Sequence, residues 1–101
     1  PLTRDEVRSI VDLQFGILKN MLLQNDIRIT ATEKAIDWLA QLGYDPQFGA
    51  RPLKRVMQKK VLNELSKQIL AGKVQKDDQI ELDIDKKHEF IFKSLPKLVE
   101  I

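Results

Sequence analysis

Just before residue 79 the apolar residues of this chain change period, and that change limits the folds open to it. Up to Leu70 they recur every three or four positions, as one face of a helix requires. Gln79-Ile80-Glu81-Leu82-Asp83-Ile84 then alternates strictly, the period of a strand with one buried face. Glu89-Phe90-Ile91-Phe92-Lys93 reads as a further strand, with Asp85-Lys86-Lys87-His88 as the turn between the two. Asp26-Ile27-Arg28-Ile29-Thr30-Ala31 alternates as well, earlier in the chain. At 101 residues there is material for one modest core. The expected fold is α+β, in the order helix-strand-helix-helix-strand-strand, with helices packed on a small three-stranded sheet.

Local signals mark the helix ends. Thr3 followed by Glu6 is a capping-box pattern, and Asp5 and Glu6 suit the positive end of a helix dipole. Val7, Ile10, Val11, Phe15, Leu18, Met21 and Leu22 give this helix an apolar stripe that runs to about Leu23. Thr32 can cap a second helix, with Ala35, Ile36 and Leu39 inward and Trp38 on the flank. Gly43 is expected to close it in the left-handed conformation. A third helix should run from Pro52 to Ala71, with Gly72 as its cap. Its apolar positions are Leu53, Met57, Val61, Leu65 and Ile69, assisted by Val56, Leu62 and Leu70. Residues 1–93 form the expected domain, and residues 94–101, with Pro96, read as a tail.

Several functions find no support in the composition. There is no cysteine, hence neither a disulfide framework nor a thiolate metal site, and no metal centre is expected. The lone His88 sits in a charged turn and reads as exposed and inert. No apolar run approaches the roughly 18 residues of a membrane span. A net charge of +2 does not by itself indicate a nucleic-acid binder. The chain contains neither a Gly-rich phosphate loop nor an apolar strand ending in magnesium-holding acids, so no catalytic residue is assigned and the chain alone should not hydrolyse ATP. It begins with Pro1 and not methionine, as a fragment or processed piece would.

The loop between the second and third helices carries the chemistry. Pro46 and Gly49 punctuate it, and Pro52 suits a first helical turn. Arg51 stands where backbone N–H groups already favour an anion, so it gains nothing from the helix dipole. Its ordinary reading is a surface arginine, and its functional reading is contact with a phosphate outside the helix. Arg55 and Lys59 follow at spacings of four, flanked by Lys54. Arg51, Arg55 and Lys59 are thus expected to share one face of the helix, either a solvated face or a contact with the neighbouring subunit or large domain. A nucleic-acid surface is the weaker alternative, because no aromatic residues interleave with them to stack on bases. Tyr44 and Phe48 are expected to anchor the loop on the core, and Asp45 before Pro46 to favour a turn. Asp83 and Asp85 read as ordinary outward carboxylates.

Tyr44-Asp45-Pro46-Gln47-Phe48-Gly49-Ala50-Arg51-Pro52-Leu53-Lys54-Arg55 resembles the sensor-2 box in the C-terminal small domain of Clp-type AAA+ unfoldases, nearest to the second ATPase ring of ClpB disaggregases. The resemblance extends from about Pro1 to Phe92. It implies a lid domain in which Arg51 contacts an ATP phosphate, with Ala50 as a second candidate. ATP or ADP with magnesium would be bound mainly by a large domain preceding Pro1. The implied partners are that large domain, neighbouring subunits of a homohexamer, misfolded polypeptide and an Hsp70-type chaperone, in a bacterial cytoplasm or an organelle matrix. The family pattern usually has proline where this chain has Glu64, so a straighter third helix is expected here. Three alternatives stand beside this one: a ClpC- or ClpA-like unfoldase feeding a protease, a basic-helix nucleic-acid module, and a plain protein-interaction domain.

Overall fold

A computed structural model of the chain describes residues 3–74 and 78–95. Helix α1 spans Arg4–Leu23 and begins with the capping box: Thr3 Oγ1 accepts from the Glu6 N–H, and the Glu6 carboxylate accepts from the Thr3 N–H. The helix ends in a left-handed turn built on Asp26, at φ 62°. The Asp26 N–H donates to the Leu23 carbonyl and the Ile27 N–H to that of Leu22, two bonds that satisfy carbonyls the helix leaves open. Asp26 therefore belongs to this turn, and strand β1 begins two residues later than the alternation suggested, spanning Arg28–Ala31.

Helix α2 spans Glu33–Gly43, capped by Thr32, whose hydroxyl accepts from the Ala35 N–H. After the loop comes a long helical stretch in three parts: α3 (Leu53–Val56), a π-helical segment (Met57–Leu62) and α4 (Asn63–Leu70). The regular helix expected here is thus interrupted by a wider turn, in which the Asn63 N–H reaches back to the Gln58 carbonyl. The apolar spacing explains what the wider turn achieves. Leu53, Met57, Val61 and Leu65 are all buried, four residues apart each time. On a 3.6-residue helix each such step overshoots a full turn by about 40°, so the row would wind off the core. A wider turn takes up part of that drift. Gly72, at φ 77°, closes the helix as expected.

Strands β2 (Gln79–Ile84) and β3 (Phe90–Leu95) complete a sheet in the order β1-β2-β3. β1 and β2 are parallel, with Ile29 opposite Ile80 and Ala31 opposite Leu82. That pairing requires a crossover, which α2, α3 and α4 supply. β2 and β3 are antiparallel, with Leu82 opposite Phe92. β3 continues through Ser94 and Leu95, two residues beyond the end read from the sequence; the rest of the expected tail, residues 96–101, lies outside the described residues.

The core lies between the sheet and the helices. Val7, Val11, Phe15, Leu18 and Leu22 of α1 meet Ile29, Leu39, Leu65, Ile80 and Leu82 there. Three residues of the expected stripes fall outside it. Met21 is 44% exposed, and Ile69 and Leu70 lie on a last helical turn that the core does not cover.

Candidate functional site

The loop after α2 is fixed by its own side chain. Asp45 and Gly49 exchange backbone hydrogen bonds of 2.7 and 2.6 Å. The Asp45 carboxylate also accepts from the N–H groups of Gln47 (2.7 Å) and Phe48 (3.1 Å). Gly49 sits at φ 65°, a left-handed conformation that glycine adopts at no steric cost. The Arg51 N–H then donates to the Phe48 carbonyl and the Leu53 N–H to that of Ala50, and the chain enters α3 through Pro52.

Leu53, 1% exposed, anchors the far end of the loop against Gly43. A Cβ on Gly43 would lie 2.6 Å from Leu53 Cδ1 and 3.0 Å from its Cα. Gly43 is the last residue of α2 and is not left-handed. Its glycine serves close approach between two elements, which corrects the helix-closing role expected from its position.

Arg51 is exposed, and its guanidinium lies over the Phe48 ring, 5.5 Å from the centroid. Phe48 is 51% exposed and does not anchor the loop on the core as expected; Tyr44 does pack partly against it. Lys54, Arg55 and Lys59 are exposed too, and none of the four cations forms an ion pair with a described carboxylate. The expected common face is interrupted. Arg51 precedes the helix and Lys59 lies in the π segment, which leaves only Arg55 of that spacing on α-helical turns. Lys54 borders a shallow groove with Ile17, Met21, Met57 and Leu62. Ala50 is half-buried at the turn before Pro52.

Other charged groups serve the scaffold. Arg8 of α1 reaches Glu33 and Asp37 of α2, the latter at 2.6 Å, and these hydrogen-bonded carboxylates raise its pKa further. Beside them an open groove of about 320 Å³ runs between α1 and α2 towards Tyr44. Asp83, read from the sequence as an outward carboxylate, accepts from Lys93 Nζ (2.9 Å), the Ile84 N–H (2.8 Å) and the Thr32 hydroxyl (2.8 Å). Led by the Lys93 bond, these contacts lower its pKa to about 2. His88 is exposed, as expected, yet its ring lies 4.7 Å from that of Trp38. Among the described residues no three His, Cys, Asp or Glu converge as metal ligands. No described helix is long and apolar enough to cross a membrane.

Two contributors to the site escaped the sequence reading. The residue type of Phe48 alone suggests a place in the core. Its separation of three from Arg51, across a glycine, was the signal that the two could meet over one turn. Asp45 before Pro46 forms the expected turn, and it also locks both neighbours of Phe48, Gln47 through its carboxylate and Gly49 through its backbone.

Helices packed on a three-stranded sheet, in the order helix-strand-helix-helix-strand-strand, are the architecture of a small α+β domain. Residues 2–82 match the family model of the C-terminal, D2-small domain, of ClpB protein, and the chain belongs to that family. It is 47% identical over 85 residues to the probable chaperone protein ClpB 1 of Chlorobaculum tepidum, covering 84% of this chain and 19% of that protein. It is 46% identical to the mitochondrial chaperone protein ClpB4 of Arabidopsis thaliana, covering 84% of this chain and 9% of that one. With ClpB 1 of Thermosynechococcus vestitus the match is 40% over 99% of this chain and 12% of the relative. The chain thus spans a small part of the length of these relatives and corresponds to the C-terminal domain of a ClpB-like chaperone.

Proposed function

We propose that this chain is the lid of the second ATPase ring of a ClpB-type disaggregase, and that Arg51 carries its guanidinium to the terminal phosphate of ATP bound on a preceding large domain. The observation that carries this reading is the state of Arg51. It is an exposed cation without a carboxylate partner among the described residues, on a loop closed by Asp45 and anchored through Leu53. A planar guanidinium so placed fits a phosphate through paired hydrogen bonds. Magnesium is assigned to the large domain along with the rest of the nucleotide site.

Bound ATP supplies the phosphoryl chemistry; this domain supplies a sensor. Arg51 makes better contacts while the terminal phosphate is present, so the lid angle that brings it there is favoured in that state. Because α3 and the loop are fixed to α2 through Gly43 and Leu53, a pull on Arg51 moves the domain as a body. In a homohexamer that rotation would be passed to the neighbouring subunit and drive threading of misfolded polypeptide, with an Hsp70-type chaperone as the supplier. The working location is the cytoplasm or an organelle matrix, in keeping with the relatives. The ClpB names of those relatives support disaggregation over a protease-linked role.

The test is Arg51→Ala in the parent assembly. Loss of a charge-assisted contact in the transition state should reduce ATP turnover by roughly ten- to a hundredfold. Arg51→Lys should recover only part of it, since an ammonium cannot make the paired contact. Wild-type turnover in Arg51→Ala would overturn the proposal.

A further inference from the structure

We infer that Phe48 is a positioning residue for Arg51: its ring takes the face of the guanidinium and leaves the edge free for a phosphate. The inference rests on the lid reading and deepens it. Its starting point is an anomaly. Phe48 is half in water on a loop whose other aromatic residue, Tyr44, packs on the core. The aromatic contact the structure records for it is the Arg51 guanidinium, 5.5 Å from the ring centroid.

The backbone makes that contact specific. Asp45 holds the Phe48 N–H through its carboxylate, and the Phe48 carbonyl holds the Arg51 N–H at 3.3 Å. Gly49, at φ 65°, bends the chain between them. Ring and guanidinium are therefore carried by opposite ends of one locked turn. The Asp45 carboxylate of the same loop is engaged by two backbone N–H groups.

The guanidinium is well suited to such sharing. It is attracted to an aromatic ring through its flat face, whereas its N–H donors lie in its plane. Stacking thus restricts the long side chain without using the bonds a phosphate needs. Arg51 would meet its ligand already ordered, and less freedom would be lost on contact.

Two measurements test this. In NMR spectra of the 101-residue chain, the Arg51 side-chain resonances should carry a ring-current shift that disappears in Phe48→Leu and persists in Phe48→Tyr. Unshifted Arg51 resonances in the wild type would overturn the stack itself. In the parent assembly, Phe48→Leu should lower ATP turnover about two- to fivefold, the scale of an exposed cation–π pair. Phe48→Tyr should restore it. The loss should vanish when Arg51 is already alanine, as coupled residues require. Equal losses in both backgrounds would mean that Phe48 acts on the structure and not through Arg51, and the inference would fail while the lid reading stood. A parent indifferent to Arg51→Ala would instead remove the lid reading, and this inference with it.

Discussion

Gly43 lacks a side chain because Leu53 occupies the space one would need. In Gly43→Ala the new methyl would meet Leu53 at 2.6 Å and its backbone Cα at 3.0 Å, and a backbone atom cannot rotate away. Alanine would favour the helical state by up to about 1 kcal/mol. Overpacking a filled site costs roughly 1–3 kcal/mol, so a net loss of about 1–2 kcal/mol in denaturant unfolding is expected. An unchanged or raised midpoint would show that the loop yields easily at this joint. Glycine at a helix end has two readings in sequence, left-handed closure or close approach. Which applies depends on Leu53, ten residues away, and no local pattern reports it. The same limit hid Phe48. Its residue type was legible, but which side of the loop it takes is set by Asp45 and Gly49 together.

At the scale of elements, Asp83 joins three pieces of structure: the cap of α2 through Thr32, its own strand β2, and β3 through Lys93. Its pKa is lowered from 3.8 to about 2. A carboxyl lowered on folding stabilises the fold above its unfolded pKa, and that contribution fades as pH falls through the folded value. The difference in melting temperature between wild type and Asp83→Asn should therefore be full near neutrality and shrink from about pH 4 to pH 2. A difference constant across that range would show that the carboxylate's charge is not what joins these elements. Most elements were legible, because caps and periods are local: Thr3 with Glu6, Thr32, Gly72 and the alternation from Gln79 all did what their chemistry requires. The π segment was not. Apolar residues four apart also suit an ordinary helix, and only the demand that four of them meet one core calls for the wider turn. Asp83 was hidden for a related reason, since an outward strand position looks solvated until Thr32 and Lys93 arrive from elsewhere.

For the whole molecule, fold and candidate site are separable. The core joins α1, α2, α3 through Leu53, the π segment, α4 and the sheet, and Arg8 adds a clamp from α1 to Glu33 and Asp37 of α2. Among the described residues Arg51 takes part in neither, and its guanidinium lies over the exposed ring of Phe48. Arg51→Ala in the isolated chain should accordingly leave the unfolding midpoint within about 0.5 kcal/mol of wild type, as surface substitutions do. Leu39→Ala or Leu65→Ala, each removing a fully buried side chain, should cost about 2–5 kcal/mol. The contrast is needed to interpret turnover in the parent, because a lid that unfolds also stops an ATPase. If Arg51→Ala melted like Leu65→Ala, its loss of turnover would report a damaged scaffold and the sensor role would lose its support. If it melts like wild type, the loss belongs to a contact made outside this domain, which is where an exposed arginine without a carboxylate partner among the described residues should find one.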